Sequence, residues 1–207
     1  MEIAATDYHT AGEPFRIVTA GVPEIAGATV RDRRSHAAAS EAVDAVRRLL
    51  CHEPRGHADM YGCFLVPPDD AGADLGVLFW HKDGYSTACG HGTIALGAWA
   101  VDSGLVAAPD DGQARVVIDV PSGRVEALVQ RVHGTNASIS FRNVTSHSVA
   151  TNMAIEVGHS AVAVDIAYGG AIYAAVRAGD LGLRVVPEQL GALIGAGRSV
   201  KIGRAHV

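Results

Sequence analysis

Tyr85-Ser86-Thr87-Ala88-Cys89-Gly90-His91-Gly92-Thr93, continued by Ile94-Ala95-Leu96-Gly97-Ala98-Trp99-Ala100-Val101, is the stretch from which the fold of this chain is read. A polar, glycine-flanked cysteine stands directly before an apolar run with almost no polar face. The pattern predicts a helix buried on all sides with Cys89 at its N-terminus. Unpaired N–H groups and the positive end of the helix dipole favour a thiolate there, and the same groups bind a carboxylate. The stretch therefore offers a base beside an anion hole. The plainer alternative is that Cys89 is one more small buried hydrophobe.

Composition narrows the partners. With 48% hydrophobic and 19% charged residues in 207, the chain reads as an ordinary soluble globular protein of one domain or one and a fraction. A net charge of −5 supplies no basic field, which argues against nucleic acid and anionic membrane surfaces and leaves a small-molecule substrate. Cys51, Cys63 and Cys89 are odd in number and show no paired spacing, so a disulfide framework is not expected and a reducing compartment is. Met1 to Asp7 carries neither the basic region nor the apolar core of a signal peptide, and no apolar run reaches membrane-spanning length, so the cytoplasm is the expected location.

Outward from the cysteine, Leu75 to His81 reads as an apolar strand that leads through the turn Lys82-Asp83-Gly84 into the central stretch. Further upstream, Ile3 to Ala5 and Phe15 to Ala20 read as two strands around a loop, Tyr8 to Pro14, in which His9, Thr10 and Glu13 could line a site. Apolar spacing between Ala26 and Leu50 predicts one helix of about 15 residues ending near Cys51. His52 to Gly62 is dense in polar residues. If it is extended, Arg55, His57 and Asp59 share a face, where Arg55 either orients a carboxylate or pairs with Asp59. Cys63 to Val66 is a strand.

Downstream, Gly104 closes the central helix. Runs at 114–120, 123–129, 137–144, 148–150 and 157–166 predict an antiparallel meander around it. The paired glycines Gly169 and Gly170 suggest a close backbone approach, and Leu181 to Ile194 a last helix. Arg198 to Val207 breaks off without a closing element, and Ile202 to Val207 matches one reading frame of a common sequencing adapter. A truncated reading frame is the expectation.

Two rival chemistries stay open at this point. Cys51, His52, His57, Cys63, His81, Cys89 and His91 supply ligand types suited to zinc, although no spacing forms a tight ligand pair. A non-catalytic small-molecule binder is the other.

Four motifs, in order, are His9-Thr10-Ala11-Gly12-Glu13-Pro14, Glu53 to Gly62, Cys89-Gly90-His91-Gly92-Thr93 and Asp165-Ile166-Ala167-Tyr168-Gly169-Gly170. Together they make the chain resemble the proline racemase family, which includes 4-hydroxyproline epimerases and trans-3-hydroxyproline dehydratases. Ala11, where that family usually has glycine, is the visible departure. The resemblance implies an α+β fold like that of diaminopimelate epimerase, each lobe a curved, mostly antiparallel sheet wrapped around a central helix. It divides the chain into a first lobe over 1–150 and the start of an incomplete second lobe over 151–207. It further implies Cys89 as the acid/base, Gly90 and His91 as substrate-binding residues that hold the carboxylate, and no cofactor or metal. The substrate would be proline or hydroxyproline, and the full-length chain a candidate homodimer.

Within the family, cysteine at a second site in the other lobe gives racemisation or epimerisation, and threonine there resembles the dehydratases. That position is expected beyond Val207. The stretches Gly84 to Thr87, Leu75 to Phe79 and Gly104-Leu105-Val106 look more like the dehydratases, so dehydration of trans-3-hydroxy-L-proline to pyrroline-2-carboxylate is the favoured reading.

Overall fold

Strand β4 (Leu75–His81) is buried along six consecutive residues, as a strand must be when both faces of its sheet are covered. A computed structural model of the chain, which describes residues 2–157 and 160–203, shows what covers it. The chain divides into two compact units between Val144 and Thr145.

The first unit is one mixed sheet. Its strands are β1 (Ala4–Thr10), β2 (Glu13–Ala20), β3 (Tyr61–Val66), β4, the two-residue β5 (Gly84–Tyr85), β6 (Gly112–Val120), β7 (Gly123–Val132) and β8 (Thr135–Arg142). Spatial order is β1-β2-β3-β4-β6-β7-β8, with β5 paired to β4. Pairing is antiparallel except for β2–β3 and β4–β6. Helix α3 (Gly90–Asp102) packs against β1, β2 and β3 on one side and β6, β7 and β8 on the other. A helix that touches both end strands of a seven-strand path requires the sheet to curl around it. This explains why α3 needs no polar face: none of its residues is exposed before Asp102.

Side-chain alternation sorts the core accordingly. Phe15, Ile17, Cys63, Val77 and Phe79 pack with Leu96 on the inner face. Val18, Phe64, Leu78 and Trp80 pack outward, against α1 (Val30–Ala39) and α2 (Glu41–Cys51).

The single helix expected before Cys51 is two. Ser40, at φ −90° and ψ 109°, leaves the helical region, its N–H donates to the His36 carbonyl, and its hydroxyl accepts from the Val43 N–H to cap α2. A capping box between Thr29 and Asp32 starts α1. The expected loop Tyr8 to Pro14 is also shorter: β1 runs to Thr10 and β2 begins at Glu13, leaving a two-residue turn. Ala11 (φ 50°) and Gly12 (φ 94°) both take the left-handed conformation that such a hairpin turn demands.

The second unit is a three-stranded antiparallel sheet in the order β11-β10-β9, from β9 (His147–Val157), β10 (Ser160–Tyr168) and β11 (Ile172–Val176). Its core joins Ile155, Val162, Val164 and Ile166 to Val200 of α4 (Leu190–Gly203). The expected continuous meander therefore stops at β8, where the chain leaves the first sheet at Asn143. The paired glycines make the β10–β11 turn rather than a close approach: Gly170 has φ 88°, and a Cβ on Gly169 would meet nothing closer than 3.9 Å.

The last helix begins nine residues later than Leu181. Pro187 holds Val186 extended at φ −139° and ψ 151°, so the segment forms two 3₁₀ turns before α4 can start. Residues 204–207, part of the hexapeptide Ile202 to Val207, lie outside the described residues. Among the described residues no helix is long and apolar enough to cross a membrane.

Candidate active site

The turn after β5 fixes where Cys89 stands. Ser86 donates its N–H to the Phe79 carbonyl and its hydroxyl to the Ala88 carbonyl (2.6 Å), and Ser122 donates its N–H to the Thr87 carbonyl. Cys89 is then the N-cap of α3, extended at φ −153° and ψ 107°. Thr93 closes the first helical turn twice on the Cys89 carbonyl, with its N–H at 3.0 Å and its hydroxyl at 2.8 Å. The N–H groups of Gly90, His91 and Gly92 precede that first bond and stand outside the helical ladder.

The side chain of Cys89 lacks the geometry of a helix cap, and the helix end reaches its sulfur only through the Gly92 N–H. It lies 3.5 Å from Nδ1 and 3.9 Å from Nε2 of His91. Nδ1 of His91 is in turn 3.3 Å from Oε1 of Glu13, and the Thr10 hydroxyl donates to the His91 carbonyl at 2.9 Å. The imidazole is wedged edge-on between Phe15 (5.7 Å, 90°) and Tyr61 (5.1 Å, 81°).

The expectation of an acidic thiol is overturned. Burial pushes the Cys89 thiol up to about 12, the Gly92 N–H pulls it back, and the Glu13 carboxylate pushes it up further. With 8% of the residue exposed, desolvation outweighs the helix end. Burial likewise lowers the pKa of His91, against the opposing pull of Glu13 and of a hydrogen bond to the Pro14 carbonyl. The resting pair is a neutral thiol beside a neutral imidazole.

Of the other residues singled out in the sequence, Thr10 and Glu13 reach the site while His9 does not. The exposed His9 instead accepts the Gly12 N–H within the hairpin turn. Arg55, His57 and Asp59 do not share a strand face, because His52 to Met60 is a series of turns in which all three side chains are exposed. The arginine that forks beside these turns is Arg16: it grips Asp7 with two 2.7 Å bonds and ties down the turns by donating to the Arg55 carbonyl. No group of three or more His, Cys, Asp or Glu among the described residues is placed to hold a metal ion. Cys51 packs on the outer face of the sheet while Cys63 and Cys89 pack on the inner one, which separates the zinc ligand types the sequence supplied.

Sequence reasoning missed the walls. Phe15 sits at an inward position of β2, and Phe141 of β8 approaches Gly90 so closely that a Cβ there would lie 3.1 Å from its ring. A Cβ on Gly92 would fall 2.4 Å from Phe15 and 2.9 Å from the Cys89 sulfur, so only glycine fits between them. The Gly-x-Gly spacing after Cys89 was the available signal.

Comparison with known proteins places this geometry. The family model described as proline racemase matches residues 5–205. Trans-3-hydroxy-L-proline dehydratase from Homo sapiens is 46% identical over 202 residues, covering 96% of this chain and 56% of that protein. The enzyme of the same name from Bacillus cereus is 42% identical over 195 residues, covering 94% and 58%. The chain thus spans a little over half the length of the curated relatives it matches. Among solved structures, a hydroxyproline epimerase from Agrobacterium vitis with bound trans-4-hydroxy-L-proline superposes with a TM-score of 0.90 at 27% identity, over 96% of this chain and 58% of that one. A probable proline racemase from Agrobacterium radiobacter with bound carbonate gives 0.91 at 26% identity, over 97% and 59%.

Proposed function

Because the chain belongs to the proline racemase family, we propose that the whole protein removes the Cα proton of a proline-type amino acid with the Cys89 sulfur and needs no cofactor. Its reaction is the dehydration of trans-3-hydroxy-L-proline to pyrroline-2-carboxylate. The observation that carries this reading is the position of Cys89: a sulfur at the N-cap of a buried helix, faced by the Gly92 N–H and beside the Gly90 and His91 N–H groups outside the helical ladder.

The N–H groups of Gly90 and His91 bind the substrate carboxylate, while that of Gly92 faces the Cys89 sulfur, and together they stabilise the negative charge that builds up as the Cα–H bond breaks. As the thiolate, Cys89 takes the Cα proton, the 3-hydroxyl takes up a proton and leaves the neighbouring carbon as water, and the resulting enamine tautomerises to pyrroline-2-carboxylate. The curated relatives named as dehydratases, at 42% and 46% identity, support this choice. Racemisation or epimerisation is the second reading, favoured by the close superposition on the hydroxyproline epimerase. Residues 151–207 belong, in this proposal, to a second lobe that continues through the remaining length of the relatives. The exposed Val185 (82%) and Leu190 (60%) support it. In this proposal the whole protein is a cytoplasmic homodimer, the three free cysteines of this chain being in keeping with a reducing compartment.

Incubating the complete enzyme separately with trans-3-hydroxy-L-proline and with 4-hydroxyproline tests the assignment. Pyrroline-2-carboxylate from the first and no turnover of the second is the expected result. Epimerised 4-hydroxyproline would establish the second reading instead.

A further inference from the structure

We propose that Glu13 is a positioning residue for the chemistry at Cys89, its carboxylate forming an ion pair with the His91 ring, 3.3 Å from Nδ1, when the imidazole takes the thiol proton. The inference rests on Cys89 being the proton-transfer group. It answers a difficulty the site itself poses, since the thiol of a buried cysteine does not readily ionise by giving its proton to water.

The three groups lie in sequence from dry to wet. Cys89 is buried, the His91 side chain is 14% exposed and the Glu13 side chain is 53% exposed. In the transfer the S–H bond breaks, its electron pair stays on sulfur and the proton binds Nδ1; nothing is oxidised or reduced. Glu13 then faces an imidazolium at 3.3 Å rather than a neutral ring. Both partners are held in place. Glu13 pairs with Thr10 at the end of the β1–β2 hairpin, and the imidazole cannot swing away because Phe15 and Tyr61 flank it.

Glu13 exerts two opposed effects. It disfavours a lone thiolate by repulsion, yet it favours the thiolate–imidazolium pair by attraction to His91 at 3.3 Å. The titratable groups facing the pair among the described residues are Glu13 from β2, Tyr61 and Cys63 from β3, and His81 of β4, stacked at 5.3 Å behind Tyr61. The Cys63 thiol is raised well above its ordinary value, chiefly by burial, and stays neutral. Glu13 is therefore the anion whose removal changes the pair.

Carbamidomethylation of Cys89 by iodoacetamide, followed by peptide mass between about pH 5.5 and 10, separates the two effects by sign. Glu13→Gln should slow the reaction roughly fivefold near neutral pH while moving its alkaline limb to lower pH, and Glu13→Asp should recover part of the loss. Nuclear magnetic resonance titration of the His91 ring should show a lower pKa in Glu13→Gln. Faster alkylation at every pH would mean that Glu13 only repels the thiolate, and an unchanged profile or an unmoved His91 titration would mean that it is a spacer; either overturns the proposal. Failure of the functional assignment is seen separately, as full turnover by a Cys89→Ser variant of the complete enzyme.

Discussion

Sγ of Cys89 and Nδ1 of His91 lie 3.5 Å apart although they are only two residues apart at a helix start. Side chains so spaced do not face each other within a helix. The contact exists because Cys89 is outside the helix proper: its extended backbone turns the thiol back over the first turn, above the side-chain-free Gly90 and Gly92. The site is thus a property of the boundary, and a cysteine one position later would point elsewhere.

Cys89→Ser in the complete enzyme should lower kcat by about 10³-fold, since a hydroxyl is a far poorer proton acceptor than a thiolate in the same place. Steady-state kinetics measure it. Cys51→Ala, on the opposite face of the sheet, should leave kcat of the folded enzyme unchanged. Equal losses in the two variants would remove the distinction drawn between the thiols.

Ala11→Gly should stabilise the protein. Ala11 holds φ 50°, a conformation that disfavours residues with a Cβ, and its side chain is exposed, so little packing is lost. After allowing for the greater freedom of glycine in the unfolded chain, a gain of about 0.5 kcal/mol and a midpoint higher by about 1–2 °C are expected. A thermal melt showing a decrease would mean that the turn is not strained.

How much of this was legible in the sequence depended on whether one residue's local signal agreed with its tertiary setting. The apolar run of α3 could be read because no exposed helix carries one, and Cys89 because the run begins immediately after it. Ser40 could not, since a serine in a helical pattern reads as an interior residue until its backbone is seen to leave the helical region. The end of β1, Tyr8 to Thr10, looked like a loop because it is a polar stretch of an edge strand that runs straight into a turn. Pro187 was a visible signal that the helix pattern around it concealed. The state of the thiol was illegible for another reason: the helix end is local, but the desolvation that opposes it comes from β2 and β3, whose arrival at Cys89 no spacing announces.

Asp44→Asn should destabilise by about 2–3 kcal/mol at neutral pH. Asp44 accepts Arg47 Nε at 2.6 Å and Nη2 at 3.1 Å, while Nη1 of the same buried arginine holds the His81 and Lys82 carbonyls at 2.8 and 2.9 Å, at the turn leading to the cysteine. The Arg47 guanidinium holds the Asp44 carboxyl below its ordinary range. Because the folded value is the lower one, this stability is fully present above the unfolded value of about 4 and is lost as pH falls through the folded one. Denaturant titrations should therefore show a constant gap between wild type and variant above about pH 5 that closes in stronger acid. A gap that persists in strong acid would assign the cost to packing instead of charge.

Gly92→Ala sets helix propensity against packing, and the two predict opposite signs. In a helix the change is worth about 1 kcal/mol in favour of alanine. Here the added methyl would stand 2.4 Å from Phe15 and 2.9 Å from the Cys89 sulfur. Phe15 is fully buried and set edge-on against Phe79 at 6.1 Å as well as against His91, so it has nowhere to retreat. Overpacking of this kind costs about 1–3 kcal/mol and should win, lowering the midpoint by several degrees. Phe15→Leu added to Gly92→Ala should recover part of that stability but not the activity of the complete enzyme, because the methyl still presses on the sulfur. A Gly92→Ala variant that melts higher than wild type would show that the first turn of α3 has room, and that the position of the sulfur is not set by the contact with Phe15.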